Sequence, residues 1–501
     1  MHGQSAHPCS ARGSHAGFRI VEMSSSQPPL VVDLDGTLVR TDMLHESAIR
    51  VVRERPLDLL RLPVWLWRGK AAVKQALAAR ASFDPATLPY HEAFLAWLRE
   101  QAREGRRLVL CTASDRTIAD AVAGHLNLFD EVLASDGHDN LAGARKAEVL
   151  VQRYGEQGFD YAGNSSADLA VWPRARQAVV VAPSPGVLQR ARAQFQVEQV
   201  FAAAPAGGRT WLRAMRPHQW LKNLLLAVPL LGAHQLGDWQ LWALLVLAFV
   251  AFSLCASAVY IGNDLLDLDS DRAHPRKRLR PLAAGVIPAW NAVVAAPLLF
   301  MLAMLLAWPL GRVFAAWLLA YFVLTSLYSW RLKRLLIIDC LTLAMLYTLR
   351  VAAGAAAVHV RLTYWLLVFC GFLFLSLAFV KRYAEMAMRQ QQGEQGAAGR
   401  AYLVGDAPLL QSLGVASGFC SALVLALYLN SDAVLRLYRT PGLMWGAVPV
   451  LAFWVSWMWM QAHRGRMHDD PLVFAVKDKA SLAAGVAFAA SLALGSLDWT
   501  W

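Results

Sequence analysis

The hydrophobic pattern changes character part-way along the chain. Up to about residue 200, apolar residues come in short runs: Leu30–Asp33, Arg107–Ser114, Phe129–Ala134, Asp160–Asn164 and Ala178–Ala182. Runs of this length that stop at polar or glycine turns read as buried strands. Between them lie amphipathic stretches such as His91–Glu104 and Arg116–Leu126, which read as helices. Strands alternating with helices predict an α/β Rossmann-like domain over residues 30–200, its parallel sheet covered on both faces. Ligands of such sheets bind at the carboxyl ends of the strands, and the polar signatures here gather at those ends. Val39–Gly105 interrupts the alternation with a long, mostly helical insertion. It is expected to form a small helical cap whose Trp65 and Trp67 reach lipid.

Past a linker at residues 201–212 the runs lengthen. A membrane span needs about 20 apolar residues. Candidate spans fall at 218–235, 239–262, 285–308, 311–329, 335–357, 363–384, 408–429, 442–462 and 479–497. They predict an all-α, multi-pass membrane bundle of about nine helices over residues 213–501. Trp454, Trp457 and Trp459 are expected on its lipid-facing surface.

Composition sharpens this division. The 501 residues are 56% hydrophobic and only 17% charged, and the mean hydropathy is +0.36. A soluble globular chain carries roughly 25% charged residues. The net charge of +12 divides into +2 up to Arg209 and +10 after it. Bases set between long apolar runs point to membrane topology and exclude a nucleic-acid partner. They cluster on alternate loops: Arg272 to Arg280, Arg331 to Arg334, Lys381 to Arg400, and Arg464 to Lys479. The intervening loops hold only Arg312, Arg361, Arg436 and Arg439. The positive-inside bias puts the basic set, and the amino-terminal domain with it, on the cytoplasmic side of a bacterial inner membrane. Residues 1–29 lack an apolar signal core and read as a disordered leader, with Met23 an alternative start. The six cysteines show no metal-ligand spacing and read as small buried hydrophobes. Oligomeric state and homo-oligomerisation stay open.

The most informative polar stretch is Tyr260-Ile-Gly-Asn263-Asp264-Leu-Leu-Asp267-Leu-Asp-Ser-Asp271-Arg272. On a helix, Asn263, Asp267 and Asp271 follow i, i+4, i+8 spacing with Asp264 adjacent, which makes one acidic face. Carboxylates beside a membrane span are costly and mark function. Such a face suits a hard divalent cation, and the bases of His274–Pro281 behind it suit phosphate. The pair points to a diphosphate substrate. Arg350 lies inside a span and needs a partner, with Asp339 or a substrate phosphate as candidates.

Two resemblances follow from these residues. Asp33-Leu-Asp35-Gly-Thr, Thr112 at a strand end, Lys146, and Gly163-Asn164-Ser-Ser-Ala-Asp168 resemble, in order, the four motifs of haloacid dehalogenase-like phosphohydrolases. The resemblance implies that Asp33 attacks phosphorus and that Asp35 acts as acid and base. Thr112 and Lys146 would hold the phosphoryl oxygens. Mg2+ would be held by Asp33, Asp35, Asn164 and Asp168. Asn164 stands where the family has an aspartate, so Asp168 is expected to be that loop's main acidic ligand. A binding module without catalysis is the alternative for this domain.

Asn263-Asp-x-x-Asp267-x-x-x-Asp271 resembles the first aspartate-rich motif of the UbiA superfamily of intramembrane prenyltransferases. The family's second motif, DxxxD, is replaced by Tyr328-Ser-Trp-Arg331-Leu-Lys333, followed by Asp339 with no acid four residues on. Arg216-Pro-His-Gln219-Trp-Leu-Lys222-Asn223, Leu346 to Gly354, Lys381-Arg382-Tyr-Ala-Glu385 and Asp469-Asp470-Pro471 resemble the branch that makes polyprenyl-phosphate phosphoribose. That branch implies 5-phosphoribosyl 1-diphosphate as donor and a polyprenyl phosphate, such as decaprenyl phosphate, as acceptor. Mg2+ would be held by Asn263, Asp264, Asp267 and Asp271. Substrates would be held by Gln219, Lys222, Asn223, Asn263, Arg278, Tyr328, Lys333, Asp339, Arg350, Lys381 and Arg382. The fused phosphohydrolase would then remove the product's 5-phosphate, on the route to cell-wall polymers. The alternative is prenylation of an aromatic or tetrapyrrole acceptor from a prenyl diphosphate.

Overall fold

The computed structural model describes residues 27–496, except 82, 137–138, 204–205, 234–236, 392–400, 432–433, 435–439 and 468–469. Most of the expected leader, including Met23, and Arg400, Arg436, Arg439 and Asp469 lie outside the described residues. The chain forms two compact units. One holds the residues up to Val39, Leu60–Ala86 and Tyr90–Ala203; the other holds Arg40–Leu59, Thr87–Pro89 and Ala204–Trp501.

The first unit is built on six strands: β1 (Leu30–Val32), β2 (Leu108–Asp115), β3 (Glu131–Ser135), β4 (Asp160–Gly163), β5 (Ala178–Val181) and β6 (Val197–Phe201). All pair in parallel, in the order β3-β2-β1-β4-β5-β6. The central strands β1, β4 and β5 are buried along their whole length, as their unbroken apolar runs require. The edge strand β6 escapes the sequence pattern because two of its five residues, Glu198 and Gln199, face solvent. At the amino ends of the strands, buried Arg106 bonds Asp160 and Glu198, so this face of the sheet is a structural ion-pair network.

The inserted region does not form one cap. Its first helix, α1 (Met43–Glu54), belongs to the second unit, while α2 (Leu62–Trp67) and α3 (Lys70–Ala78) stay with the sheet. Lys74 of α3 donates to the Ala113 carbonyl at 2.7 Å and to Asn140, which ties α3 to the carboxyl end of β2. The two tryptophans part company: Trp65 is buried under Arg80, and Trp67 is 89% exposed. Helices α4 (Glu92–Arg103), α5 (Arg116–Leu126), α6 (Ala144–Tyr154) and α7 (Pro185–Gln194) complete the unit.

The second unit is helical. After α8 (Gly208–Met215) the segment expected to be the first span, 218–235, is a 3-10 stretch, Pro217–Ala227, and a short helix α9 (Val228–Gly232). Pro217 and Pro229 break regular helix here. Among the described residues seven helices, not nine, are long and apolar enough to cross a membrane. They contain α10 (Trp239–Leu266), α12 (Ala289–Ala307), α13 (Arg312–Trp330), α14 (Ile338–Ala357), α15 (Tyr364–Gln391), α16 (Ala407–Leu429) and α17 (Ala447–His463). A short α11 (Leu268–Ala273) follows α10, and α18 (Pro471–Lys477) leads into the shorter apolar helix α19 (Lys479–Ser496). Most of the apolar stretch of α10 and α14 is buried, 61% and 78%, against 17% for α12, so α10 and α14 form the middle of the bundle. Small residues allow the close packing. A Cβ on Gly354 would lie 2.1 Å from the Leu226 carbonyl oxygen, and one on Gly414 would meet the Trp459 ring. Trp459, expected to face lipid, is instead a buried packing residue that donates to Ser376.

Candidate active sites

In the first unit Asp33 follows β1, with its main-chain N–H donating to Ala162 of β4 at 3.0 Å. The chain then turns sharply: Thr37 and Val39 N–H groups return to Leu34, Leu38 N–H returns to Asp33, and Gly36 takes φ +74°. A side chain at Gly36 would strike the Asn164 amide at 2.1 Å, so only glycine lets the two loops meet. Lys146 enters from α6 and donates to Asp33 at 2.7 Å and to Tyr161 at 2.9 Å. Tyr161 in turn donates to Asp168 at 2.8 Å. Asp35 accepts from Ser114 at 2.6 Å and from Thr112 at 3.5 Å. The four signature segments therefore converge, with Tyr161 and Ser114 added. Sequence reasoning missed both because each lies inside an apolar strand run with no spacing signal.

Burial pushes the Asp33 carboxyl up to about 7; Lys146 opposes this, while Asp168 and Asp35 add to it. Burial also works against the charge of Lys146, but Asp33 overrides it and holds the lysine above its usual range. Asp168 has both oxygens engaged, one by Tyr161 and the other by Asn164 N–H, Ser165 N–H and the Ser165 hydroxyl. It shapes the loop, and the neutral Asn164 amide is the group that loop presents to the Asp33–Gly36 turn. Through its Oδ1 the Asn164 side chain would offer Mg2+ a neutral oxygen, one charge fewer than an aspartate at the same place. Asn164→Asp is therefore expected to lower the half-saturating Mg2+ for phosphate release by roughly 10-fold, read from a cation titration of the full-length protein.

In the second unit the acidic face forms where α10 passes into α11. The helix breaks at Asp267, yet Asp267 N–H still bonds Asn263 and Asp271 N–H still bonds Asp267, so the i, i+4 register survives the break. Arg280 bridges Asp264 at 3.1 Å and Asp271 at 2.5 Å, and Arg216 also bonds Asp264. Lys333 lies 3.8 Å from Asp267. Arg278 is exposed on the neighbouring 3-10 turn, and it is Arg280 that meets the acids.

A second cluster gathers on Asp470, which caps α18. It accepts from Lys222 at 2.8 Å, Lys381 at 3.0 Å and Tyr347 at 3.0 Å. Arg350 does not pair with Asp339. It donates to Asn223 and to the Tyr321 hydroxyl, both at 3.0 Å, and to the Leu346 carbonyl. Lys222 and Arg350 both lie against the Tyr347 ring, which joins these groups. Gln219 sits half-buried on the same 3-10 stretch as Lys222. Sequence reasoning passed over Arg216, Arg280, Tyr347 and Asp470 as site residues; the first two stand among many loop bases, and only packing selects them.

The remaining candidates form a separate buried knot. Arg382 bonds Asp339 at 2.5 Å, Glu385 at 2.6 Å and Tyr328 at 2.9 Å, and Tyr402 donates to the other Asp339 oxygen. Arg382 and Asp339 are fully buried. Removing one partner strands the other charge at a cost of about 3–5 kcal/mol. Asp339→Asn and Arg382→Met are each expected to lower the unfolding temperature in detergent sharply, before any change in substrate KM.

With this geometry in view, residues 224–495 match the UbiA prenyltransferase family. The chain belongs to that family. Residues 30–171 match haloacid dehalogenase-like hydrolases, fused ahead of the UbiA domain. An uncharacterized protein of Sinorhizobium fredii is 37% identical over 93% of this chain and 90% of its own length. The nodulation protein NoeC of Azorhizobium caulinodans is 34% identical over 54% of this chain and 89% of its own length. A decaprenyl-phosphate phosphoribosyltransferase of Mycobacterium tuberculosis is 38% identical over 36% of this chain and 62% of its own length. The chain is thus an integral membrane protein of the UbiA family that carries a hydrolase-like domain.

Proposed function

We propose that the UbiA unit transfers 5-phosphoribosyl from its 1-diphosphate to a polyprenyl phosphate, and that the fused hydrolase then removes the product's 5-phosphate. The observation that carries the reading is the fate of Asp339. It is the one acid where a second aspartate-rich motif would stand, and both its oxygens are taken by Arg382 and Tyr402. One acidic face remains, surrounded by bases. This arrangement favours one diphosphate leaving group beside a second, monophosphate substrate over a prenyl diphosphate clamped between two acidic motifs. The partial likeness to the mycobacterial phosphoribosyltransferase supports the same reading.

The residues present suit Mg2+ at the acidic face. Asp271 Oδ1 is buried with no hydrogen-bond partner, and the donors are hard carboxylate oxygens. Among the described residues no three acidic, imidazole or thiol groups converge on one point. Asn263, Asp264, Asp267 and Asp271 would hold the cation. When bound, Mg2+ supplies positive charge for the departing diphosphate. Arg216 and Arg280 lie beside the acids and would turn to the diphosphate oxygens. Lys222 and Lys381 would orient the lipid phosphate, whose oxygen attacks ribose C1 as the C1–O bond to diphosphate breaks. Arg350, held by Asn223 and Tyr321, keeps this wall positive.

In the hydrolase unit Asp33 attacks the 5-phosphate and Asp35 gives a proton to the leaving C5 oxygen. Water then cleaves the aspartyl-phosphate with Asp35 as base. Asp33, Asp35 and Asn164 would hold Mg2+, whose charge would offset that of the phosphoryl group. Lys146 and Thr112 hold the phosphoryl oxygens. The test supplies purified full-length protein with polyprenyl phosphate, Mg2+ and radiolabelled phosphoribosyl diphosphate. Labelled lipid that subsequently loses its 5-phosphate is expected. Absence of labelled lipid would overturn the transfer reading, and labelled lipid that keeps its 5-phosphate would overturn the hydrolase substrate.

A further inference from the structure

The segment between the first two hydrolase-like motifs contributes a helix to the other unit. Asp42 caps α1 by accepting from Leu44 and His45 N–H groups, and the amphipathic helix that follows packs Ile49 into the apolar cluster of Ile261, Leu265 and Leu268. His45 stacks on Trp290 at 5.6 Å. Above this contact lie two ion pairs. Glu46, fully buried, receives both terminal nitrogens of Arg272 at 2.7 and 3.1 Å and the Thr41 hydroxyl at 2.8 Å. Arg50, also buried, bonds Asp269 through Nη2 at 2.6 Å and through Nε at 3.2 Å, with Arg53 adding a further contact at 3.2 Å.

Asp269 and Arg272 alternate along α11 with the acids of the transferase face. Asp271 turns to Arg280, while Asp269 and Arg272 turn to α1. Arg272 also donates to the Ala283 carbonyl, which ties α11 to the loop that follows Arg280. A six-residue helix has too few internal bonds to fix its own orientation. Two bidentate contacts on one side supply that constraint. They also occupy the Asp269 carboxylate, with Arg50 on both of its oxygens and Arg53 at 3.2 Å, so that its oxygens face α1.

We propose that Glu46 and Arg50 are positioning residues of the transferase site: by gripping Arg272 and Asp269 they hold α11 so that Asp267 and Asp271 present their carboxylates to a divalent cation. The inference rests on the cation role given above to those acids. The fusion is then more than a tether, because sequence within the hydrolase-like region completes the transferase unit.

The test uses the full chain in detergent with Asp33→Asn and Asp35→Asn, so that the acidic face is the cation site under study. Mn2+ binding is titrated by electron paramagnetic resonance. Glu46→Gln keeps the side chain's shape and is expected to raise the Mn2+ Kd at least about 5-fold, with Arg50→Met similar and Arg50→Lys intermediate. In lipid labelling the same variants should raise half-saturating Mg2+ more than they lower the rate at saturation. Unaltered Mn2+ affinity in Glu46→Gln and Arg50→Met overturns the proposal, even where their unfolding temperatures fall. No saturable Mn2+ binding in the parent overturns it together with the cation role. Weakened Mn2+ binding in a protein that labels no lipid from phosphoribosyl diphosphate upholds the positioning role and sinks the transfer reading alone.

Discussion

Asp271→Asn is expected to abolish lipid labelling, lowering the rate by at least about 10²–10³-fold, while soluble phosphate-ester hydrolysis by the same protein continues. The size follows from what the carboxylate does. Asp271 is buried, one of its oxygens has no hydrogen-bond partner, and the other bonds Arg280. An amide keeps the shape but offers no negative charge to a divalent cation. It also leaves Arg280 with Asp264 as its remaining acidic contact. Loss of one element of charge stabilisation at a leaving group costs about 10²–10³ in rate. Asp264→Asn should act in the same direction, because that side chain meets both Arg216 and Arg280. Asp267→Asn should also lower labelling; its carboxylate is more exposed and its basic neighbour, Lys333, is at 3.8 Å, so a smaller loss is expected. The measurement is initial rate of labelled lipid at saturating donor and acceptor. Labelling at the parental rate in Asp271→Asn would remove the acidic face from the mechanism.

Much of this site is legible in sequence, and the reason is spacing. Asn263, Asp267 and Asp271 lie one helical turn apart, and that periodicity survives the break at Asp267. The strands β1, β2, β4 and β5 are legible because buried parallel strands are unbroken apolar runs. Partners far apart in sequence are not legible. Nothing local says that Asp339 belongs to Arg382 rather than Arg350, or that Asp470 gathers Lys222 and Lys381. A charge inside an apolar run announces that it has a partner without naming it. The segment at 218–235 misleads for a related reason. Hydropathy sees its leucines, while Pro217, Pro229 and the inward-bonded Lys222 and Asn223 bend it into the wall of the site. Helix α1 was hidden most deeply. Its sequence position assigns it to the hydrolase, but its buried charges are complementary to Asp269 and Arg272.

Asp33→Asn should separate the two proposed reactions. Lipid labelling is expected to persist, and loss of the 5-phosphate to fall by at least about 10³-fold, so that the phosphorylated lipid accumulates. Asp33 is the proposed nucleophile: Lys146 bonds one of its oxygens, and backbone hydrogen bonds of the turn through Gly36 fix the loop that carries it. An asparagine amide has no comparable nucleophilicity. Asp35→Asn is expected to give a similar block by a different route, since it removes the acid and base held by Ser114. Acidity offers a second signature. Burial pushes Asp33 up to about 7, and only the ionised form attacks. At limiting Mg2+ the parental release of phosphate should therefore be slower at pH 6 than at pH 8. Saturating Mg2+ favours the carboxylate and should carry that limb to lower pH. Accumulated phospholipid is read by chromatography of the labelled product, before and after treatment with an added phosphatase. Unchanged 5-phosphate loss in Asp33→Asn would remove Asp33 from that step. A limb that stays in place under saturating Mg2+ would mean that the titrating group is not the nucleophile.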